Sequence, residues 1–201
     1  MRIPQLILPT FAVLALAGAP AAVAAAPGAG SPASTGGAGI APAAASPSTP
    51  TDPTVSGYVA KIIHGVAYAP SFAPIQVKEA IWAGNQIRKL PYIYGGGHGS
   101  FKSSGYDCSG SVSYVLHAAG LLKTPYDSSQ FYGWGERGLG HWMTVYTNPG
   151  HAFIEIAGIR FDTSAEGQTQ PLPGTAPGSG PRWRQLMQDT QGFQPRHLNW
   201  L

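Results

Sequence analysis

The strongest constraint on the fold is an abrupt change in composition near residue 55. Residues 27–55 consist almost wholly of Ala, Gly, Pro, Ser and Thr, and Asp52 is their only charged residue. Such a segment has too few large apolar side chains to offset the entropy of ordering, so it is predicted to be a disordered linker. All five tryptophans and all nine tyrosines follow it. The folded part is therefore predicted to be one domain over residues 56–201.

The first 26 residues have the layout of a cleavable export signal. Arg2 gives a positive start, an apolar stretch covers residues 6–16, and small residues follow. A membrane-spanning helix needs about 20 strongly apolar residues, whereas Pro9 and Pro20 interrupt this stretch. We therefore expect a signal peptide over residues 1–26, an extracellular or cell-wall location, and no membrane attachment after cleavage.

The charge balance argues against a nucleic-acid partner. The chain has 12 Lys and Arg residues against 9 Asp and Glu residues, a formal net charge of +3, and no run of basic residues. Nucleic-acid binding normally requires a clustered basic patch, so we expect none here.

The predicted domain places helices before strands, which indicates an α+β fold. Apolar residues recur at helical spacing over residues 74–90, and Pro91 ends that helix. A second helix is predicted from residue 107 or 108 to residue 119, with Gly120 as its C-terminal cap. Loop 165–180 separates the last strand candidate from the others. The strand candidates are residues 142–147, 152–157, 159–163 and 181–184.

Cys108 is the only cysteine of the chain. Cysteines of exported proteins usually form pairs, so a lone one points to a thiol retained for its chemistry. It stands at the predicted start of a helix, directly after Asp107, which can act as the N-cap. Unpaired backbone N–H groups and the helix dipole favour the thiolate there and can stabilise an oxyanion. We predict a nucleophile; the alternative is an inert buried cysteine.

A cysteine nucleophile needs a base, normally histidine, and a third group that orients this base. If residues 157–158 form a two-residue hairpin turn, Glu155 opposes Arg160 across the two strands. The same register puts Asp162 on the face of His151, at the diagonal position, where its carboxylate can hold the imidazole. A three-residue turn would put Asp162 on the opposite face, because strand side chains alternate.

The glycine-rich loop over residues 95–99 contains one further candidate, His98, which we expect to line the cleft. It is not a phosphate-binding loop, because no Gly-Lys-Ser/Thr follows. A metal site made from Cys108, His151, Asp162 and His98 is an alternative. The chain lacks closely spaced ligand pairs such as Cys-x-x-Cys, so we expect no metal.

Three short motifs, in this order, resemble the NlpC-like cell-wall cysteine peptidases, a compact branch of the papain-like group. They are the aromatic and glycine-rich segment 91–96, the run Asp107-Cys108-Ser109-Gly110, and Gly150-His151 at the start of a strand. The resemblance covers about residues 75–164. It implies a papain-like fold in which the cysteine helix packs on an antiparallel sheet that carries the histidine.

The resemblance also implies an activity, namely hydrolysis of amide bonds in peptidoglycan stem peptides, commonly between D-glutamate and a diamino acid. Carried over residue by residue, Cys108 is the nucleophile, His151 the base and Asp162 the orienting group. This family most often has His, Asn or Gln at the third position, so Asp162 is an uncommon choice. We expect a monomer that needs no cofactor.

Further roles are implied for residues around the nucleophile. Tyr92 would contact substrate or the oxyanion site, whereas Asp107 and Ser109 would bind the free amine of a stem peptide. Related thiol folds cleave the N-acetylmuramoyl-L-alanine amide or transfer acyl groups, so an amidase or an acyltransferase is an alternative. A wall-binding domain that has lost catalysis is another.

Overall fold

A computed structural model describes residues 52–165 and 180–201. The predicted signal peptide, nearly all of the predicted linker and most of the predicted loop 165–180 lie outside these residues. Thr54–Val55, at the end of the predicted linker, pairs as a strand with residues 69–70. Thr54 and Val55 therefore take part in a sheet with residues that follow the predicted linker.

The elements follow the expected order of helices before the main sheet, but a small sheet precedes the helices. The elements in chain order are β1 (Thr54–Val55), β2 (Lys61–Ile63), β3 (Val66–Pro70), α1 (Ile75–Ile87), α2 (Cys108–Ala118), a short 3₁₀ turn (Gln130–Gly133), β4 (Glu136–Arg137), β5 (Met143–Asn148), β6 (His151–Ile156), β7 (Ile159–Asp162), β8 (Arg182–Arg184) and β9 (Gln194–His197). The first sheet has the order β1-β3-β2 and the second the order β4-β9-β5-β6-β7-β8.

The α+β prediction is confirmed, since α2 packs against α1 and against β6 of the larger, antiparallel sheet. Helix α1 is shorter than predicted, because the backbone leaves the helix after Ile87 and a turn from Leu90 to Ile87 follows. Trp183 of β8 lies in the core between sheet and helix, where its ring contacts Gly84 and its indole N–H donates to Asn85. No helix among residues 52–165 and 180–201 is long and apolar enough to cross a membrane.

The hairpin that joins β6 to β7 has the two-residue turn that the sequence predicts. Ala157 and Gly158 both have positive φ, 48° and 88°, as the twist of a tight hairpin requires. Glu155 consequently faces Arg160. Because this turn sets the register, it also determines which face of the sheet carries Asp162.

Candidate active site

Cys108 is the first residue of α2, as the sequence predicts. Asp107 is the N-cap, and its carboxylate accepts a hydrogen bond from the backbone N–H of Gly110 at 2.7 Å. The thiol is 9% exposed and opens into a cleft of about 460 Å³. The nucleophile candidate is thus held by the helix start and still reachable from one side.

His151 begins β6 and Asp162 ends β7, and the hairpin register brings their side chains together. Nε2 of His151 lies 2.9 Å from Oδ1 of Asp162, which also accepts the backbone N–H of Ser164 at 2.8 Å. Asp162 is fully buried, whereas the His151 side chain is 21% exposed. With Nε2 directed to the carboxylate, Nδ1 is the ring nitrogen left for the thiol.

Cys108 and His151 stabilise each other's charged forms. Burial opposes ionisation of the thiol, but hydrogen bonds with His151 and the backbone N–H of Ala152, together with the imidazole charge, hold the pKa of Cys108 below its ordinary value. Burial also opposes protonation of His151, but hydrogen bonds to Asp162 and Cys108 and their negative charges raise the pKa of His151 to about 10. The pair therefore favours thiolate and imidazolium at neutral pH.

Asp107 connects the glycine loop to α2. Its Oδ2 accepts the backbone N–H of Gly95 at 3.0 Å, and its Oδ1 lies 3.0 Å from Nε2 of His98. The same nitrogen of His98 lies 3.1 Å from the hydroxyl of Ser109. Donors of this chain thus already occupy the Asp107 carboxylate, which is 5% exposed, whereas the His98 side chain is 32% exposed. His98 is the member of this group most open to a ligand.

The glycine at residue 110 allows the loop and the helix to touch. A Cβ at Gly110 would lie 2.0 Å from the carbonyl oxygen of Gly96, which itself accepts the backbone N–H of Asp107. Any side chain at residue 110 would separate the loop from the helix that carries Cys108. Steric exclusion therefore explains why the last residue of the Asp-Cys-Ser-Gly run is glycine.

Tyr92 lies on the rim of the cleft, close to the thiol. Its pKa is raised by partial burial and by the nearby negative charges of Cys108 and Asp107. Tyr94 beside it is 91% exposed, and Pro149-Gly150, just before His151, borders the same cleft. The structure thus brings all seven residues singled out by sequence together around one cleft or directly behind it.

Sequence reasoning missed two contributions to the site. The backbone N–H of Ala152 reaches the thiol, and a backbone donor leaves no signal in residue types. Arg160 was expected to face Glu155, but its Nε also lies 3.6 Å from Oδ2 of Asp162. The spacing of residues 160 and 162 on one strand face was the available signal for the second contact. Within the described residues, no group of three or more His, Cys, Asp or Glu side chains could hold a metal ion.

Comparisons with known proteins show remote similarity. No family model and no curated protein matches the chain. Among solved structures it is similar to a variant of the resuscitation promoting factor interacting protein RipA, with 20% identity, 62% of each chain covered and a TM-score of 0.44. It is also similar to the peptidoglycan hydrolase RipB from Mycobacterium tuberculosis, with 21% identity, 57% of this chain and 66% of that chain covered, and a TM-score of 0.38.

A third similar structure is an NLP/P60-family protein, described as similar to lipoprotein, from Staphylococcus aureus. It shows 17% identity, 64% of this chain and 43% of that chain covered, and a TM-score of 0.43. The chain covers less than two thirds of the length of each of these three proteins. Because every TM-score is below 0.5, the function of this chain has to be argued from the geometry of its own site.

Proposed function

We propose that this chain is an exported cysteine endopeptidase that hydrolyses amide bonds in peptidoglycan stem peptides. One observation supports the chemistry above all: a thiol of lowered pKa at a helix start faces His151, which is held at 2.9 Å by the buried carboxylate of Asp162. This is the arrangement of nucleophile, base and orienting group that acyl transfer requires. The order of the sequence motifs supports the substrate class.

The first half of the proposed reaction forms the acyl-enzyme. The Cys108 thiolate attacks the amide carbonyl, so that a sulfur–carbon bond forms and the carbonyl oxygen takes the negative charge. Backbone N–H groups at the start of α2 stabilise this oxyanion. The His151 imidazolium then donates its proton to the amide nitrogen, the carbon–nitrogen bond breaks, and the amine leaves.

The second half releases the acid. Neutral His151 removes a proton from a water molecule as its oxygen attacks the thioester carbonyl, and the carbon–sulfur bond breaks. The carboxylic acid departs, and the thiolate with its imidazolium partner is restored. Asp162 accepts a hydrogen bond from Nε2 throughout and fixes the imidazole, so that Nδ1 faces the sulfur in both halves.

The cleft supports a peptide substrate. Tyr92 and Tyr94 give its lining aromatic surface, Pro149-Gly150 also borders it, and His98 provides a polar group in the same cleft as the thiol. We place the carbonyl of the scissile bond over Cys108 and the amine of the stem peptide towards His98 and Ser109. The preferred bond is the one between D-glutamate and the diamino acid.

A digest of purified peptidoglycan tests the proposal. The chain and its Cys108→Ala variant are incubated with the same preparation, and the soluble fragments are identified by mass spectrometry. Fragments ending in D-glutamate support the endopeptidase, and their absence with the folded Cys108→Ala variant assigns them to the thiol. Release of whole stem peptides would indicate the amidase instead. Equal release by both proteins would refute a thiol mechanism.

A further inference from the structure

The carboxylate of Asp162 lies in a buried group of arginines behind the candidate active site. Arg160 is fully buried, and its Nε lies 3.6 Å from Oδ2 of Asp162. Arg184 is 2% exposed, and its Nε donates to the backbone carbonyl of Asp162 at 3.3 Å. The two arginines face each other directly across β7 and β8. Both side-chain oxygens of Asp162 therefore have a cationic neighbour, His151 on one side and Arg160 on the other.

The Asp162 carboxylate lowers the cost of this arrangement. Two buried guanidinium groups on opposed positions of neighbouring strands repel each other, and each loses its hydration. Burial lowers the pKa of Arg184, and the negative charge of Asp162 acts against that effect. Glu155, a further acid among the described residues, accepts the backbone N–H of Met187 at 3.3 Å. The carboxylate of Asp162 thus contributes to the charge balance of this face.

An apolar cover separates this group from water. The Phe153 and Tyr146 rings stack at 4.9 Å, and Phe193 packs edge-on against Phe153 at 5.0 Å. The guanidinium carbon of Arg160 lies 5.6 Å from the centre of the Phe153 ring. In such surroundings the interactions between charges are much stronger than in water.

We infer that Arg160, assisted by Arg184, is a positioning residue that holds the Asp162 carboxylate in place and directed at His151. The inference rests on the proposed function, because it gives Asp162 the role of orienting the base. Arg160 itself touches neither thiol nor substrate in this assignment. It explains how a fully buried carboxylate is kept against the imidazole of His151.

The charged neighbours of Asp162 lie on three strands. Among the described residues they are His151 on β6, Arg160 on β7, and Arg182 and Arg184 on β8, with Glu155 opposite Arg160. The Arg182 side chain is engaged elsewhere, since its Nη1 donates to the carbonyl oxygens of Leu90 and Pro181.

The pH dependence of Cys108 alkylation by iodoacetamide tests the inference without any substrate, because the chain has one cysteine. In the native protein the thiolate persists well below the pKa of about 8.5 of free cysteine. In Arg160→Met, the weakened Asp162–His151 pair should raise the pKa of Cys108 and lower the alkylation rate at pH 6 on the order of tenfold. Arg184→Met should have a smaller effect in the same direction.

A double variant separates action through Asp162 from a direct effect of the arginine charge. Asp162→Asn keeps an acceptor for His151 but removes the negative charge that Arg160 balances. Adding Arg160→Met to Asp162→Asn should then change the alkylation profile less than twofold. A direct effect of the Arg160 charge on the thiol would persist in this background, and such persistence would overturn the inference.

Arg196 provides the matched control. It is buried at 7% exposure in the same sheet, but its side chain donates to the carbonyl oxygens of Trp134 and Gly135, away from Asp162. Arg196→Met should lower the melting temperature and leave the alkylation profile unchanged. If Arg196→Met and Arg160→Met shift the alkylation profile equally, general destabilisation explains the effect and the inference is contradicted.

Arg160→Lys covers the case in which Arg160→Met does not fold. Lysine keeps the positive charge but loses the contact between Nε and Asp162. A folded Arg160→Lys protein should therefore show part of the change in the alkylation profile that Arg160→Met shows, and an unchanged profile would count against the inference. The outcome is independent of the proposed function. If the native protein has a reactive thiol at pH 6 but does not act on peptidoglycan, the proposed substrate is wrong. The comparison of Arg160→Met with the native protein still tests the role of Arg160 in that case.

Discussion

The two faces of the β6–β7 hairpin are both largely buried, but one face carries apolar side chains and the other carries polar and charged ones. One face packs on the helices with apolar side chains that are at most 5% exposed, namely Ala152, Ile154, Ile156, Ile159 and Phe161. The other face carries His151, Arg160 and Asp162, and the latter two are equally hidden from water. Alternating apolar and polar residues usually mark a strand with one wet face, and this hairpin departs from that rule.

Because their side chains differ, the two faces have different roles. Apolar side chains gain stability from burial without directional requirements, so the helix-facing side anchors the hairpin. Buried charges must each be matched by a partner, so the opposite face gains defined geometry at a cost in stability. We expect substitutions on the first face to act on unfolding and those on the second to act on catalysis.

The largest effect is expected at the carboxylate on the polar face. Asp162→Ala removes the group that fixes the imidazole, and loss of the triad aspartate costs on the order of 10⁴-fold in kcat in a serine protease. Asp162→Asn should lose far less here, because it keeps a hydrogen-bond acceptor for the imidazole, as in the Cys-His-Asn arrangement of papain-like proteases. Initial rates of stem-peptide release measure both. Equal losses in the two variants would show that charge, rather than orientation, dominates.

On the apolar face, Ile154→Ala should have the opposite profile. Ile154 is fully buried between sheet and α2, and truncation of a core isoleucine costs about 2–5 kcal/mol of unfolding free energy. Urea denaturation gives this loss, and kcat/KM is measured at a temperature where the variant stays folded. A drop of more than a few-fold in kcat/KM under those conditions would break the division between the faces.

The pH dependence of activity should follow the polar face. The pKa of His151 is raised to about 10, so the imidazolium that protonates the leaving amine is present below that pH and lost above it. Activity should therefore fall about tenfold per pH unit beyond pH 10. Removing the charge in Asp162→Asn should move this limb to lower pH, because the carboxylate raises the pKa. A limb that stays in place would separate His151 from Asp162 functionally.

The smallest effect is expected at the turn that keeps the two faces apart. Gly158 has a φ of 88°, and a Cβ there would lie 3.0 Å from Val59. Gly158→Ala should cost about 1–2 kcal/mol of stability, the penalty of a left-handed backbone for other residues. Thermal unfolding measures it, and kcat in the folded state should be unchanged. A large fall in kcat would indicate that the register itself had slipped.

The sequence was sufficient for the parts of the molecule whose signals are local. Helical spacing predicted both helices, and the positions of Ala157 and Gly158 between alternating residues predicted the hairpin register. Asp107 before Cys108 predicted the helix start. Each of these features depends on neighbours within a few residues, so a single sequence contains the necessary information.

Features that depend on distant segments were not predicted. Strands of two or three residues, such as Thr54–Val55 and Lys61–Ile63, are too short to show a period. The burial of the polar face depends on Met187 and Phe193, which lie more than 20 residues beyond Asp162 and pack against Phe153. The basic and aromatic C-terminal part had no assigned role, yet it supplies Arg184 and this cover.

The contact between Gly96 and Gly110 has a consequence for how this sequence can vary. A Cβ at residue 110 would meet the backbone carbonyl oxygen of residue 96, which is present whichever residue stands there, whereas a Cβ at residue 96 would meet the carbonyl oxygen of Gly105. A library randomised at both positions and selected for activity should therefore return glycine at residue 110 whatever residue 96 becomes. The distance between the helix that carries Cys108 and the glycine-rich loop thus depends on the absence of a side chain at residue 110.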